Sequence, residues 1–185
     1  MDENRNLVGF EVDLLKEIGR RTGATIEFRD MPFDRLLNAV AGKQVDMAIG
    51  AITVTKEREK LVAFSDSYYR LSGYSLLVKK GNPPVQNEEE LAGKVVAAKR
   101  VSTSEARAKA QNPKEIISMD HYEDIFKALE AGKADVGITG DQAALYELEH
   151  GGSSRLSLSG TIPTEDNFAI ALSKDNPQLK KSMRP

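Results

Sequence analysis

Cysteine and tryptophan are absent from this 185-residue sequence, and histidine occurs only twice, at His121 and His150. Without cysteine the chain has no disulfide bonds, no thiol nucleophile and no cysteine-bound metal. The two histidines lie far apart in the sequence, so we expect neither a histidine metal cluster nor a Ser-His-Asp triad. We also expect no bound metal and no cofactor.

A strong net charge and long hydrophobic stretches are also missing. The formal net charge is −2, so no basic field indicates nucleic-acid binding. No stretch approaches the roughly 18 apolar residues that a membrane-spanning helix needs. The first six residues are polar and lack the basic and apolar regions of a signal peptide. We therefore expect either a cytosolic protein or a chain from which upstream residues have been removed.

Helical and strand patterns alternate along the chain. Apolar residues recur at helical spacing from Phe10 to Ile18, and Gly23 follows as a stop signal. Asp34 is predicted to cap a second helix. Further helices are predicted over 104–110, 122–131 and 142–148 and beyond Pro177. A loop is predicted at 151–154. Strands are predicted over 25–28, 45–49, 74–78, 95–98, 115–118, 136–139 and 167–172. This alternation predicts an α/β fold with parallel-rich sheets flanked by helices.

One pattern occurs twice. The pattern runs from Leu36 to Gly50 and again from Ile125 to Gly140. In each copy a helix ends in Ala-Gly-Lys and is followed by an aspartate, a strand and a glycine. Turns after helices favour such residues in any case, so the similarity has a purely local explanation. The alternative is two similar lobes with strand ends at a common site, because ligands bind outside the carboxyl ends of strands in open α/β sheets.

Arg58 stands in an unfavourable place for a cation. With Thr55 as N-cap, Arg58 is the third residue of a short helix, where a capping box has Glu or Gln. A positive charge there opposes the helix dipole at a cost of about 0.3–1 kcal/mol. Arg58 could point into solvent and pair with a nearby acid. The preceding Gly50, Ala51 and Thr53 favour a ligand site instead, because backbone donors, a hydroxyl and a guanidinium together bind a carboxylate.

The stretches GAITVTKER (50–58) and FSDSYY (64–69) resemble the signature of polar-amino-acid solute-binding proteins (family 3). These are extracytoplasmic receptors of ABC importers with the type II periplasmic-binding-protein fold. The resemblance extends from residue 7 to residue 172. It implies a first lobe of residues 1–70 plus 167–185, a second lobe of residues 72–165, and hinge segments near 69–72 and 164–167.

The resemblance also implies a ligand site. Arg58 would hold the α-carboxylate of a small amino acid, aided by Gly50, Ala51 and Thr53, and Phe33 would stack on the ligand side chain. In the second lobe, Ser102, Thr103 and Ser104 match a turn that donates to the same carboxylate, although Val101 replaces the usual glycine. The three hydroxyl residues can equally cap the helix that follows, and the two roles are compatible.

The position that binds the α-ammonium group departs from the family pattern. Counting from Asp135, the usual aspartate is replaced by Gly140, and an aspartate follows at Asp141. Asp141 either reaches the ligand or only caps the helix over 142–148. In the second case the ligand is a carboxylate without an α-amine, and Thr139 is the remaining polar neighbour.

The ends of the chain depart from the family as well. The usual first strand and last helix of the first lobe are not found, so we expect open strand edges in that lobe. A strand from another copy, a domain swap or an altered sheet order would fill the gap, and a possible strand-exchanged dimer is therefore predicted. Otherwise the lobe is expected to be marginally stable.

The function implied is that of the solute-binding component of an amino-acid ABC importer. Its partners would be the ligand and the membrane subunits of the transporter, with no nucleic acid. Its location would be periplasmic or extracellular, with lipid or membrane association. Two alternatives stay open: a ligand-sensing domain of a receptor, and an enzyme resembling cyclohexadienyl dehydratase with Glu105 as the nearest acid. We expect no enzymatic activity.

Overall fold

The computed structural model describes residues 7–150, 154–176 and 179. The chain forms two compact units. Unit 1 extends to Tyr69 and resumes at Asn167, and unit 2 is Arg70–Asp166. The predicted loop at 151–154 lies outside the described residues except for Ser154, and so does the helix beyond Pro177 except for Leu179.

The described part of unit 1 contains the helices α1 (Phe10–Thr22), α2 (Phe33–Ala41) and α3 (Lys56–Leu61). The predicted stop of α1 is confirmed, because Gly23 adopts the left-handed conformation with φ 72° and donates its N–H to the carbonyl of Gly19. Acidic residues occupy the first turn of α1 and basic residues its last turn, as the helix dipole favours.

Among the described residues, the sheet of unit 1 has three short strands in the order β1 (Met47–Ala48), β10 (Ala171–Leu172) and β2 (Ala63–Phe64). Both pairings in this sheet are antiparallel. The strands β3 (Tyr69–Arg70) and β9 (Asn167–Phe168) form a separate two-stranded sheet where the chain passes between the units. The core of unit 1 is apolar and includes Val40, Ile52, Val62, Phe64, Ala169 and Ala171.

Several predictions for unit 1 were wrong in detail. Residues 25–28 form no strand, because a strand needs a ladder partner and none exists among the described residues; Ile26 and Phe28 still pack on the core. The cap of α2 is Pro32 rather than Asp34, which lies in the first turn. The predicted strand over 167–172 is divided into β9 and β10 at Ala169 and Ile170.

Unit 2 contains a mixed five-stranded sheet in the order β6-β5-β7-β4-β8. The strands β5 (Val95–Lys99), β6 (Glu115–Met119) and β7 (Val136–Gly140) run parallel, with β5 in the middle. The strand β4 (Gly73–Lys79) pairs antiparallel with β7 on one side and with β8 (Leu156–Pro163) on the other. Serine, glycine and proline in β8 obscure its strand pattern, and the sequence did not predict it.

Helices α4 (Thr103–Ala110), α5 (Tyr122–Glu130) and α6 (Asp141–His150) connect or follow these strands, and a short 3-10 helix spans Glu89–Leu91. The apolar face of α5 packs against the sheet, where Ile125 and Leu129 are fully buried. The predicted helices and the strands β4 to β7 of this unit are confirmed to within one or two residues. In the part of the chain that the structure describes, no helix is long and apolar enough to cross a membrane.

Candidate functional site

Arg58 is fixed at the start of α3 by bonds at both ends of the residue. Its backbone N–H donates to Oγ1 of Thr55 at 3.2 Å, which confirms Thr55 as the N-cap. Its Nη1 donates to the backbone carbonyl of Thr53 at 2.9 Å. The guanidinium therefore turns back toward the strand segment that precedes the helix, beside the positive end of the helix dipole.

Residues 52–54 are held in an extended conformation by β9. The N–H of Ala169 donates to the carbonyl of Ile52 at 3.1 Å, and the N–H of Val54 donates to the carbonyl of Asn167 at 2.9 Å. These two bonds flank a bridge between Thr53 and Phe168. They direct the peptide groups of Thr53 away from β9, toward the side on which Arg58 contacts its carbonyl. Thr53 is only 3% exposed.

The turn before this segment has an unusual backbone. Gly50 has φ 156°, and Ala51 has φ 52°, which is the left-handed region that non-glycine residues seldom adopt. The N–H of Ala51 donates to Oε1 of Glu11 at 2.7 Å. The carboxylate of Glu11 therefore holds the turn in place, and the Ala51 N–H that we expected to help bind a ligand already has an acceptor in the protein.

Glu11 is a residue that the sequence analysis missed as part of this site. Its Oε1 also accepts a hydrogen bond from the hydroxyl of Tyr68, which is half-buried. Burial raises the pKa of the Tyr68 hydroxyl, and the negative charge and hydrogen bond of Glu11 raise it further. The only sequence signal is an acidic residue in the first turn of α1, which helix capping explains equally well.

Phe33 lies beside Arg58, and its expected stacking on a ligand side chain stays a prediction. The Cζ atom of Arg58 is 5.6 Å from the centre of the Phe33 ring, within the range of a cation–π contact. The structure thus brings Phe33, Ala51, Thr53 and Arg58 together in unit 1. We call these four residues, with Gly50, the arginine cluster.

The serine-rich turn of unit 2 caps a helix. Oγ of Ser102 accepts a hydrogen bond from the N–H of Glu105 at 3.1 Å and lies 2.8 Å from Oγ of Ser104. Oγ1 of Thr103 lies 2.7 Å from the hydroxyl of Tyr74, which also donates to Asp166. The three hydroxyl residues therefore stand together at the N-terminus of α4, and we call them the hydroxyl turn.

The residue before the hydroxyl turn has a backbone conformation that favours glycine. Val101 has φ 58°, a conformation that is strained for a β-branched residue. Its N–H donates to Oε2 of Glu105 at 3.0 Å.

Glu105 is ionised rather than poised for proton transfer. Burial by itself raises the pKa of its carboxyl. Donation from the Ser118 hydroxyl, the Lys109 ammonium and the Val101 N–H outweighs burial and holds the pKa below its usual range. A buried carboxylate with this set of donors stabilises the start of α4 in its charged form.

Polar groups also collect at the carboxyl end of β7. Thr139 is fully buried, and its hydroxyl donates to the carbonyl of Gly140 at 3.1 Å. Asp141 begins α6, and both of its carboxylate oxygens are engaged: Oδ1 accepts from the N–H of Gln142 at 2.8 Å, and Oδ2 accepts from Oγ of Ser72 at 2.5 Å. Asp141 is thus the first residue of α6 rather than a cap before it, and its contact with a ligand stays a prediction.

Comparison with known proteins assigns the class. The family model for bacterial extracellular solute-binding proteins, family 3, matches residues 1–183. The chain belongs to this family and is a solute-binding protein. The resemblance noted in the sequence is confirmed, and so is the α/β fold of periplasmic-binding-protein type.

Curated relatives and solved structures agree with this assignment. The arginine-binding extracellular protein ArtP of Bacillus subtilis is 32% identical over 94% of this chain and 69% of its own length. The glutamine-binding protein GlnH of an ABC transporter of the same species is 29% identical over 95% of this chain and 64% of its own length. The chain thus spans about two thirds of these relatives. The arginine-bound form of ArgBP from T. maritima matches 98% of this chain and 85% of its own with a TM-score of 0.92 at 32% identity.

Proposed function

We propose that this chain is the solute-binding component of an amino-acid ABC importer and that Arg58 binds the α-carboxylate of the amino acid. The relatives support the class of ligand, because their names describe arginine- and glutamine-binding proteins. One further structure is of an ancestral arginine-binding protein bound to glutamine, at 34% identity. The partners would then be the membrane subunits of the transporter.

The observation that carries this proposal is the fixed position of Arg58. A guanidinium binds a carboxylate through two parallel N–H donors, and this geometry is more selective than a point charge. In the structure Nη1 donates to the Thr53 carbonyl, and the guanidinium lies over the face of Phe33. An anion that arrives here also meets the positive end of α3, which offsets the cost of a cation at that place.

Unit 2 would supply the remaining contacts. We propose that the hydroxyl turn and the first peptide N–H groups of α4 donate to the same ligand, since a helix N-terminus favours negative charge. Ser102 already caps this helix, so its contribution to ligand binding would be to orient the turn. The passages between the units, near 69–72 and 164–167, are proposed as the hinge that ligand binding closes.

The proposal also covers where the protein is located and whether it catalyses a reaction. Relatives of this chain are described as extracellular or periplasmic proteins, and we propose the same location, with membrane association, for this one. We propose that it catalyses no reaction. Glu105 supports this, because its lowered pKa and its ion pair with the exposed Lys109 make it a poor general acid.

A thermal-shift screen of the twenty amino acids tests the function. A ligand at 100 times its Kd raises the free energy of unfolding by about 2.7 kcal/mol, which is easily measured. L-Arginine and L-glutamine are the first compounds to examine. Stabilisation by none of the twenty amino acids would refute the proposal, and product formation from prephenate or arogenate would favour the enzyme instead.

The variant Arg58→Ala tests the carboxylate assignment, and Lys56→Ala is its matched control. Both variants remove one positive charge from the first turn of α3, but Lys56 is exposed. We expect Arg58→Ala to abolish the ligand-induced shift and Lys56→Ala to retain it. Full affinity in the Arg58 variant would show that the carboxylate binds elsewhere.

A further inference from the structure

The amide of Gln142 occupies a special position at the carboxyl end of β7. Its Oε1 atom is buried and accepts no hydrogen bond from any described residue. Buried polar atoms in native proteins are nearly always paired, so an orphaned acceptor calls for a donor that the protein itself does not supply. In open α/β sheets the region outside the carboxyl ends of the strands is where ligands bind.

The absence of a side chain at Gly140 leaves room for the amide of Gln142. A Cβ atom at residue 140 would lie 2.7 Å from Oε1 of Gln142, so any other residue there would require the flexible Gln142 side chain to move. The amide oxygen therefore stands where a side chain of residue 140 would begin. The glycine that interrupts the family pattern at this position creates the room that the glutamine side chain fills.

Gln142 differs from the polar side chains around it, each of which has a partner within the protein. Both oxygens of Asp141 already accept hydrogen bonds, one from Ser72 and one from the backbone of Gln142 itself. The hydroxyl of Thr139 donates to a backbone carbonyl. Oε1 of Gln142 is, by contrast, the one buried side-chain oxygen or nitrogen among the described residues for which no partner is found.

We propose that Oε1 of Gln142 accepts a hydrogen bond from the α-ammonium group of the bound amino acid. The inference rests on the proposed function and deepens it, because it assigns the ligand's nitrogen to an uncharged acceptor. An amide oxygen accepts a hydrogen bond from an ammonium group, but the amide is neutral and does not balance the positive charge. The site then discriminates against acids that lack the amine mainly because they leave the buried oxygen unpaired.

The variants Gln142→Met and Gln142→Glu test this assignment by calorimetry. The probes are L-arginine and L-glutamine, each compared with the acid that lacks the α-amine, 5-guanidinopentanoic acid and glutaramic acid. Methionine keeps the length of the side chain and removes the acceptor. We expect Gln142→Met to weaken binding of the amino acids about 10- to 100-fold and to leave the deaminated acids unchanged.

The glutamate variant reverses the direction of the effect. A carboxylate at residue 142 is an acceptor with a negative charge, so the amino acids should bind more tightly and the deaminated acids more weakly. Weaker amino-acid binding by Gln142→Glu would mean that the amide contacts the ligand through its N–H donors, and the inference would be overturned. An equal loss for both kinds of probe in Gln142→Met would overturn it as well.

Stability without ligand provides a second readout. Because an apolar group in place of an unpaired buried acceptor removes a desolvation cost, the melting temperature of unliganded Gln142→Met should equal or exceed that of the wild type. Gln111→Met, at the C-terminus of α4, serves as the control and should change neither stability nor affinity.

If no amino acid binds the wild type, the proposed function fails and the inference falls with it. If an amino acid binds and Gln142→Met binds it equally well, only the inference fails.

Discussion

The backbone N–H of Ala51 donates to the carboxylate of Glu11 across 40 residues of sequence, at 2.7 Å. This bond joins the first turn of α1 to a left-handed residue in the turn that leads to Thr53 and Arg58. The conformation of the arginine cluster thus depends on a side chain that lies in another helix and is not itself proposed to contact the ligand.

Glu11→Ala should therefore weaken both the fold and the site. It leaves the Ala51 N–H and the Tyr68 hydroxyl without their acceptor, at a cost of about 1–3 kcal/mol in the free energy of unfolding. Denaturant unfolding measures this loss, and calorimetry measures the accompanying loss of ligand affinity. Glu17→Ala, on the same helix but in exposed ion pairs with Arg20 and Arg21, is the control and should cost much less. Equal losses in the two variants would contradict the role of Glu11.

Val101→Gly should stabilise unit 2. A left-handed conformation costs an L-residue roughly 1–2 kcal/mol, and Val101 adopts it with φ 58°. Glycine removes that strain. Its more flexible unfolded chain costs about 0.5–1 kcal/mol, so the free energy of unfolding should rise by a net amount of about 0.5–1 kcal/mol. Val101→Ala keeps the Cβ atom and should gain less. A glycine variant that unfolds more easily than the alanine variant would show that the backbone is not strained.

Glu105 should make stability depend on pH in the acid range. Its pKa in the folded protein lies below the ordinary value of 4.5, so its contribution is fully present above that value. The contribution is lost as the pH falls through the lower folded-state pKa. Glu105→Gln should flatten the stability curve below about pH 4.5, measured by denaturant unfolding at a series of pH values. A wild-type slope in the Glu105 variant would contradict the assignment.

Phe33→Leu should weaken ligand binding modestly. The ring lies 5.6 Å from Cζ of Arg58, and a cation–π contact of this kind is worth about 0.5–1 kcal/mol at a partly exposed site. Leucine should therefore reduce the affinity for L-arginine or L-glutamine about two- to fivefold in calorimetry. Phe33→Tyr keeps the aromatic face and should bind normally. A leucine variant as tight as the wild type would exclude the stacking role.

A strand-exchanged dimer stays a prediction. Residues 25–28 have no ladder partner among the described residues, and β1 lies at the edge of its sheet. Unpaired strand edges favour pairing with another chain. Light scattering over a range of protein concentrations should then give twice the mass of the single chain, whereas the mass of a monomer at all concentrations would contradict the prediction.

Sequence patterns predicted most elements of unit 2 and fewer of unit 1. The strands β4, β5, β6 and β7 were recognised because each is bounded by turn residues and carries a continuous or alternating apolar pattern. Residues 25–28 have the same alternation but no strand, since strand formation depends on a partner that local pattern does not reveal. The strand β8 was missed for the opposite reason, because pairing with β4 overrides its low strand propensity.

The sequence by itself determined the position of Arg58 at the start of α3. Capping by Thr55 and the dipole of a helix act over three or four residues, so a local stretch is sufficient to place the cation. Only the tertiary structure decided what surrounds Arg58 and Gln142. The bond from Ala51 to Glu11 joins distant residues. The orphaned oxygen of Gln142 depends on a rotamer that is possible because residue 140 has no side chain. Such contacts follow from packing in three dimensions, which no short-range pattern encodes.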